Sequence, residues 1–179
     1  MRVLVVSDSH GRNDYVKRAV EQTKKTYGTI DVMLHLGDVE DDVEELYEMI
    51  PGDVYIVEGN NDFGLDLPEY LRIPLSGHTI LMTHGHRQQV HMDLYRLELF
   101  AEEQEADIVM YGHTHYPYLE ETDDLTILNP GSLTFPRQEG RARTYMVMQM
   151  DEDGTVEYLW QELEEEEDKG LFRIFFDRL

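Results

Sequence analysis

The sequence predicts a layered α/β domain, with two sheets packed face to face and helices on their outer sides. Three observations carry that expectation. The chain opens on Val3-Leu4-Val5-Val6, an apolar run without polar alternation, which reads as a strand buried on both faces. Strand-like and helix-like segments then alternate, before strand-rich stretches with a single further helix take over. The apolar runs also stop abruptly at Asp, Asn or His, at the strand ends where open α/β sheets gather ligands.

The first strand runs into Ser7-Asp8-Ser9-His10-Gly11, and in extended chain Asp8 and His10 point the same way. Asn13 or Asp14 is expected to cap a helix over about 14–26, with Val16, Ala19, Val20 and Thr23 on its inner face and Gly28 closing it. Residues 31–36 read as a second buried strand ending in Gly37-Asp38, followed by a helix over 39–49 and a break at Pro51-Gly52. A third strand at 54–57 leads into Gly59-Asn60-Asn61-Asp62. Residues 70–83 read as paired strands about a turn at Ser76-Gly77, stopping at His84-Gly85-His86. Leu94, Leu97, Phe100 and Ala101 mark one face of a helix over about 91–104. A short strand at 107–111 ends in Gly112-His113-Thr114-His115. Thr126-Ile127-Leu128 and Asn129-Pro130-Gly131-Ser132 then precede two strands, 144–150 and 156–160, joined by Asp151-Glu152-Asp153-Gly154.

A length of 179 residues favours one domain, read as 1–160, with an acidic segment and an amphipathic tail over 161–179. There is no cysteine, so disulfides, thiolate metal sites and cysteine nucleophiles are excluded and any metal must take nitrogen or oxygen ligands. The net charge of -23 argues against extended nucleic acid as a partner, because backbone binding needs a basic surface. The first strand begins at once and no apolar run approaches membrane-spanning length, so the expectation is a cytoplasmic protein with no membrane partner.

Asp8, His10, Asp38, Asn60, His84, His113 and His115 are seven nitrogen or oxygen donors at the starts of loops. Two divalent ions need about that many. Ions about 3.5 to 4 Å apart grip a phosphoryl group, lower the pKa of a water and stabilise the entering and leaving oxygens. One carboxylate must bridge them, and the lone Asp38 suits that role. Glycines at 37, 59, 85 and 112 let the backbone turn sharply against these residues. Each block alone is ordinary, since Asp-x-His often caps a helix and Gly-Asp often turns a strand into one. It is their order and strand-end placement that point to a metal centre. His35, His78 and His91 lack that placement and read as structural or surface residues.

The blocks D-x-H, G-D, G-N-x-D, H-G-H and G-H-T-H, followed by Asn129-Pro130-Gly131-Ser132, resemble those of the calcineurin-like metallophosphoesterase superfamily, and the short chain is similar to its small bacterial and archaeal phosphodiesterases. The resemblance implies a four-layer α-β-β-α sandwich, two packed mixed sheets flanked by helices. It implies Asp8, His10 and His115 on a first metal, Asn60, His84 and His113 on a second, and Asp38 between them. Mn²⁺ is the ion it suggests, with Ni²⁺, Fe²⁺, Zn²⁺ or Co²⁺ as alternatives. The implied reaction is hydrolysis of a small phosphodiester by direct attack of a metal-bound hydroxide.

The chain departs from the family pattern at one position. Many phosphatases of the superfamily carry a His after the Asn ligand to help the leaving group, and here Asn61 stands there, an amide that cannot act as an acid near neutral pH. The change favours diesters with good leaving groups. It makes His86 the candidate substitute, so that Asp38, Asn60 and His86 are the expected catalytic residues, with Asp62 orienting a neighbour. Arg12 and Arg87 adjoin ligand positions and are further candidates for a phosphate contact. Two other readings use the same fold: a phosphomonoesterase, or a non-catalytic scaffold like the retromer subunit, which should have lost ligands. In the tail, Leu171, Phe172, Phe175, Phe176 and Leu179 would share one helical stripe, and a homo-oligomer formed through the tail is one way to bury it.

Overall fold

The structure is a computed structural model that describes residues 1–164. The apolar stripe of the tail lies outside the described residues. In the first sheet, β1 (Arg2–Val6), β2 (Val32–His35) and β3 (Asp53–Ile56) are parallel neighbours. β9 (Thr144–Met150) runs antiparallel beside β1, and β10 (Val156–Glu162) beside β9. The second sheet has the order β4 (Tyr70–Leu75), β5 (His78–Thr83), β6 (Ile108–Met110), β8 (Thr126–Asn129), β7 (Tyr118–Glu121), with β5, β6 and β8 parallel.

Alternate residues of each central strand serve different layers. Val3 and Val5 of β1, Ile80 and Met82 of β5 and Ile108 and Met110 of β6 meet in one apolar core between the two sheets. Leu4 and Val6 face outward to Val16, Ala19 and Val20 of α1 (Asn13–Tyr27) and to Leu46 of α2 (Val43–Tyr47). Leu81 and Val109 face Leu97 and Ala101 of α3 (Tyr95–Glu103). Helix, sheet, sheet and helix are therefore the four expected layers. Because both faces of β1 are covered, its apolar run needs no alternation.

The differences from expectation lie at element ends. Neither Asn13 nor Asp14 caps α1; Arg12 occupies the cap position without a capping side-chain bond, and the Asn13 amide instead donates to the Asp42 carbonyl at 2.8 Å and the Glu45 carboxylate at 2.9 Å. The helix expected over 39–49 is reduced to α2, because Asp38 and Glu40 hold left-handed backbone and the Asp42 carboxylate caps the amide of Glu44 at 2.9 Å. α3 starts only at Tyr95, after consecutive turns in which Gln89 and Met92 donate to His86 and Gln89 carbonyls. β7 was not anticipated: it is an edge strand, half-exposed and ending in two glutamates, so it lacks an apolar signature. β10 continues past residue 160 to Glu162, and Leu163 is buried against the α1 layer. No helix among the described residues is long and apolar enough to cross a membrane.

Candidate metal centre

The carboxyl ends of β1, β2 and β3 from one sheet and β5 and β6 from the other converge on a single rim. Beyond the strands the loops stay zipped: the amide of Asp8 donates to the Gly37 carbonyl at 3.1 Å and that of His10 to the Asp38 carbonyl at 2.9 Å. The extended geometry expected for Asp8 and His10 is not what aims them. Asp8 (φ 55°), His10 (φ 44°), Asp38 (φ 56°), His113 (φ 64°) and His115 (φ 57°) are all left-handed, a conformation costly for residues with a Cβ. Such strain at five of the seven expected donors marks a place where side-chain direction outweighs backbone comfort.

Asp8, His10, Asp38 and His115 each offer one ligand atom, and these atoms lie within 4.8 Å of one another. His115 Nε2 is 3.2 Å from His10 Nε2 and 3.1 Å from Asp8 Oδ1, the latter in a geometry that makes no hydrogen bond. The far nitrogens explain the arrangement. His115 Nδ1 donates to the Phe135 carbonyl at 2.9 Å and His84 Nδ1 to the Leu36 carbonyl at 2.7 Å, while His10 Nδ1 meets the Glu40 carboxylate at 2.5 Å. A carbonyl only accepts, so the Nε2 atoms of His115 and His84 face inward as lone pairs when those rings are neutral. Those lone pairs converge with Asp8 and Asp38, and Asp8 Oδ1 is buried without a hydrogen-bond partner. An acceptor-rich set of this kind repels itself unless a positive charge sits in it, and nitrogen and oxygen donors tied from behind fit a divalent transition ion.

Asp38 joins a second group. Its Oδ2 is 3.7 Å from His10 Nε2 on one side and 3.5 Å from His84 Nε2 on the other. Asn60 Oδ1 lies 3.2 Å from His84 Nε2, and the His113 ring stands edge-on to His84 with centroids 5.2 Å apart. The structure thus brings all seven expected donors to one rim, with Asp38 in the middle. Burial pushes the His84 imidazole down, but its bond to Asp38 and the charges of Asp8 and Asp38 outweigh this and hold it up at about 9. Burial raises the Asp8 and Asp38 carboxyls, yet the neighbouring imidazoles leave both below the usual carboxylate range. Burial, with the charge of His84, pushes His113 down to about 4. The site therefore draws in a positive charge, and a cation competes with the proton on His84.

Asn61 and Asp62 hold Asp38 from behind. The Asn61 amide group donates to Asp38 Oδ2 at 2.7 Å and its backbone N–H to Oδ1 at 2.9 Å. Buried Asp62 accepts from the backbone amides of Asp38 (2.8 Å), Gly59 (2.8 Å) and Glu40 (2.9 Å), which is the orienting role expected of it. Gly59 and Gly112 are required by contact. A Cβ at Gly59 would stand 2.1 Å from the Asp38 nitrogen, and one at Gly112 would stand 2.1 Å from Ser7 Oγ.

Several supports were not singled out in the sequence. Glu40 backs His10, and Ser7 Oγ donates to Asp8 Oδ2 at 2.6 Å. Asn129 and Ser132 belong to the block noted for resemblance alone, and they turn out to be braces: Asn129 donates to the Gly112 carbonyl at 2.8 Å, and Ser132 Oγ to the Asp8 carbonyl at 3.0 Å. An acid two residues past Gly-Asp was the only signal for Glu40. His86 stands beside the cluster, 5.4 Å from His84 and 6.2 Å from His113 between ring centroids, with its buried Nδ1 unpartnered. Burial and the charges of His84 and Arg87 lower its pKa. His35 is structural, fully buried with Nε2 3.0 Å from Ser9 Oγ and pushed down to about 4 by burial. His91 lies 6.0 Å from the His113 ring. Arg12 is paired with Asp14, and Arg87 with Glu58 and Glu69.

Residues 1–153 match the calcineurin-like phosphoesterase superfamily domain. The chain is 32% identical over 169 residues to a probable metallophosphoesterase of Bacillus subtilis, covering 94% of this chain and 96% of that protein. It is 27% identical over 146 residues to a phosphodiesterase of Methanocaldococcus jannaschii, covering 73% of this chain and 83% of the relative. Its fold is shared by Vps29 of Entamoeba histolytica, solved in complex with zinc, with a TM-score of 0.71 at 22% identity over 92% of this chain and 100% of that one. The chain belongs to the calcineurin-like phosphoesterase superfamily, a class of metal-dependent phosphoesterases.

Proposed function

We propose that the protein is a dinuclear-metal phosphodiesterase acting on small phosphodiesters. The observation that carries this reading is Asp38, whose Oδ2 lies 3.7 Å from His10 on one side and 3.5 Å from His84 on the other. Asp8, His10 and His115 would hold one ion, Asn60, His84 and His113 the other, and Asp38 both. Bound there, two divalent ions polarise phosphoryl oxygens and lower the pKa of a water. Manganese is the proposed ion because the family resemblance suggests it; imidazole, amide and carboxylate donors without thiolate also suit Ni²⁺, Fe²⁺, Zn²⁺ or Co²⁺.

The chain's own residues do the rest. Asn61 is committed to Asp38 through two hydrogen bonds, so it positions the shared carboxylate and supplies no proton. His86, half-buried beside the cluster with its ring centroid 5.4 Å from that of His84, would hydrogen-bond a leaving oxygen. A site without a strong proton donor suits diesters with stable leaving groups better than alkyl monoesters. The acidic surface keeps long polyanions away and agrees with a small substrate in the cytoplasm. The decisive assay follows bis-p-nitrophenyl phosphate and p-nitrophenyl phosphate after chelation and after Mn²⁺ is returned. The expected result is no turnover without metal and faster diester than monoester turnover with it. Faster monoester turnover would favour the phosphomonoesterase, and tight metal binding with no hydrolysis of either ester a scaffold.

A further inference from the structure

Beside the metal centre, on the segment between β8 and β9, lies a second site of different chemistry. In a chain of net charge -23, Arg137, Arg141 and Arg143 fall within seven positions. With Thr134, Phe135 and Pro136 they line an open pocket of about 640 Å³ that no carboxylate among the described residues borders. Among the described residues the arginines that form ion pairs are Arg12, Arg72 and Arg87, and none of these three does. Arg143 lies over the Tyr15 ring at 4.8 Å, and its Nε is buried with no hydrogen-bond partner. Arg143 also borders a neighbouring pocket with Asp14 and Glu164. Like charges gathered without an ion pair among the described residues, one of them with an orphaned donor, form an arrangement that an anion completes.

The wall between this pocket and the metal centre is one residue thick. The Phe135 ring is 5.0 Å from the His10 ring and lies nearly parallel to His115, 13° apart at 6.4 Å. The Phe135 carbonyl accepts from His115 Nδ1 at 2.9 Å, and the amide of Arg137 donates to the His115 carbonyl at 3.1 Å. A ligand on the ions would therefore extend past Phe135 into the arginines.

We propose that this pocket binds a second, terminal phosphate of the substrate, so that the enzyme takes small phosphodiesters one arm of which ends in a phosphomonoester. Guanidinium forks match phosphate oxygens in geometry and charge. The proposal rests on the phosphodiesterase reading above and narrows its substrate class.

The probes are thymidine 5′-(p-nitrophenyl phosphate) with and without a 3′-phosphate, assayed on the full chain with Mn²⁺, because p-nitrophenol reports the same broken bond in both. The 3′-phosphate is expected to raise kcat/KM about tenfold or more, chiefly through KM, the effect of one charge-assisted hydrogen bond. The ratio between the two probes should collapse toward one in Arg141→Ala and fall part-way in Arg143→Lys, which keeps the charge over Tyr15 and loses the fork. Equal rates on both probes in the unaltered protein would overturn the second phosphate site and leave the phosphodiesterase reading standing. Hydrolysis of neither probe would overturn that reading itself. The pocket is then judged by calorimetry with thymidine 3′,5′-bisphosphate: binding weakened about tenfold by Arg141→Ala supports it, and no binding, or binding indifferent to the substitution, overturns it.

Discussion

On the Asp8 side of Asp38, both imidazoles are tied at their far nitrogens, His10 to Glu40 and His115 to the Phe135 carbonyl, and Ser7 pins the carboxylate. On the other side only His84 is tied, to the Leu36 carbonyl. The His113 ring makes ring contacts with His84, His86 and His91 but no hydrogen bond among the described residues. The difference teaches that the imidazoles on the Asp8 side are aimed by the fold in advance, whereas on the dinuclear reading proposed above the His113 ring, held by ring contacts alone, would have to be fixed when its ion binds. Ordering costs affinity, so the Asp8 half should bind its ion more tightly.

The largest break of this comparison comes from removing what the halves share. Asp38→Asn should weaken both ions and lower kcat/KM by more than the about 10- to 100-fold that loss of an outer partner costs. Metal content after dialysis and rates at saturating Mn²⁺ check it together. Retention of two tightly held ions would show that Asp38 is not shared.

Removing one donor from each half sharpens the contrast. In a Mn²⁺ titration followed by calorimetry, His115→Ala should abolish the tighter step, whereas His113→Ala should leave that step in place and weaken the second. Identical effects of the two substitutions would remove the distinction between the halves. Asp62→Asn comes next, because it puts an amide donor against three backbone N–H groups that now share a carboxylate. About a 10- to 100-fold loss of metal affinity is expected, in both steps.

The smallest effect lies away from the centre and separates loss of site from loss of fold. His78 is 2.6 Å from Asp107 and 2.7 Å from the Gly154 carbonyl. Partial burial pushes its pKa down, but these two partners outweigh it and hold the folded value above the ordinary 6.5. The linked stability is therefore fully present below pH 6.5 and is lost as pH rises through the raised folded value. His78→Gln should cost about 1 kcal/mol or less at pH 6, less at high pH, with both metal steps unchanged. Thermal melts across pH measure it, and a penalty that grows with pH would contradict the assignment.

How much of this was legible follows from where the determinants lie. The candidate donors stand at the ends of apolar runs, and residue type with strand-end position picked out seven side chains that the fold gathers at one rim. The layers were legible because β1 and β2 carry uninterrupted apolar stretches. The braces were not, because the partners of His84 and His115 are backbone carbonyls of Leu36 and Phe135, far away in sequence and carrying no residue-type signal. The aim of Asp8 and His10 was misjudged for a similar reason: left-handed backbone at non-glycine residues is imposed by tertiary contacts, such as the bond from His10 to the Asp38 carbonyl. The arginine pocket escaped notice because its three residues look like solvated surface until Phe135 is seen against His10 and His115.

The shared-carboxylate account is tested most directly by locating the metal. Crystals grown with Mn²⁺ and measured at the manganese absorption edge should show two anomalous peaks about 3.5 to 4 Å apart. The Asp38 carboxylate should lie between them, with Asp8, His10 and His115 around one and Asn60, His84 and His113 around the other. A single peak at saturating Mn²⁺, or two peaks of which only one touches Asp38, would contradict it.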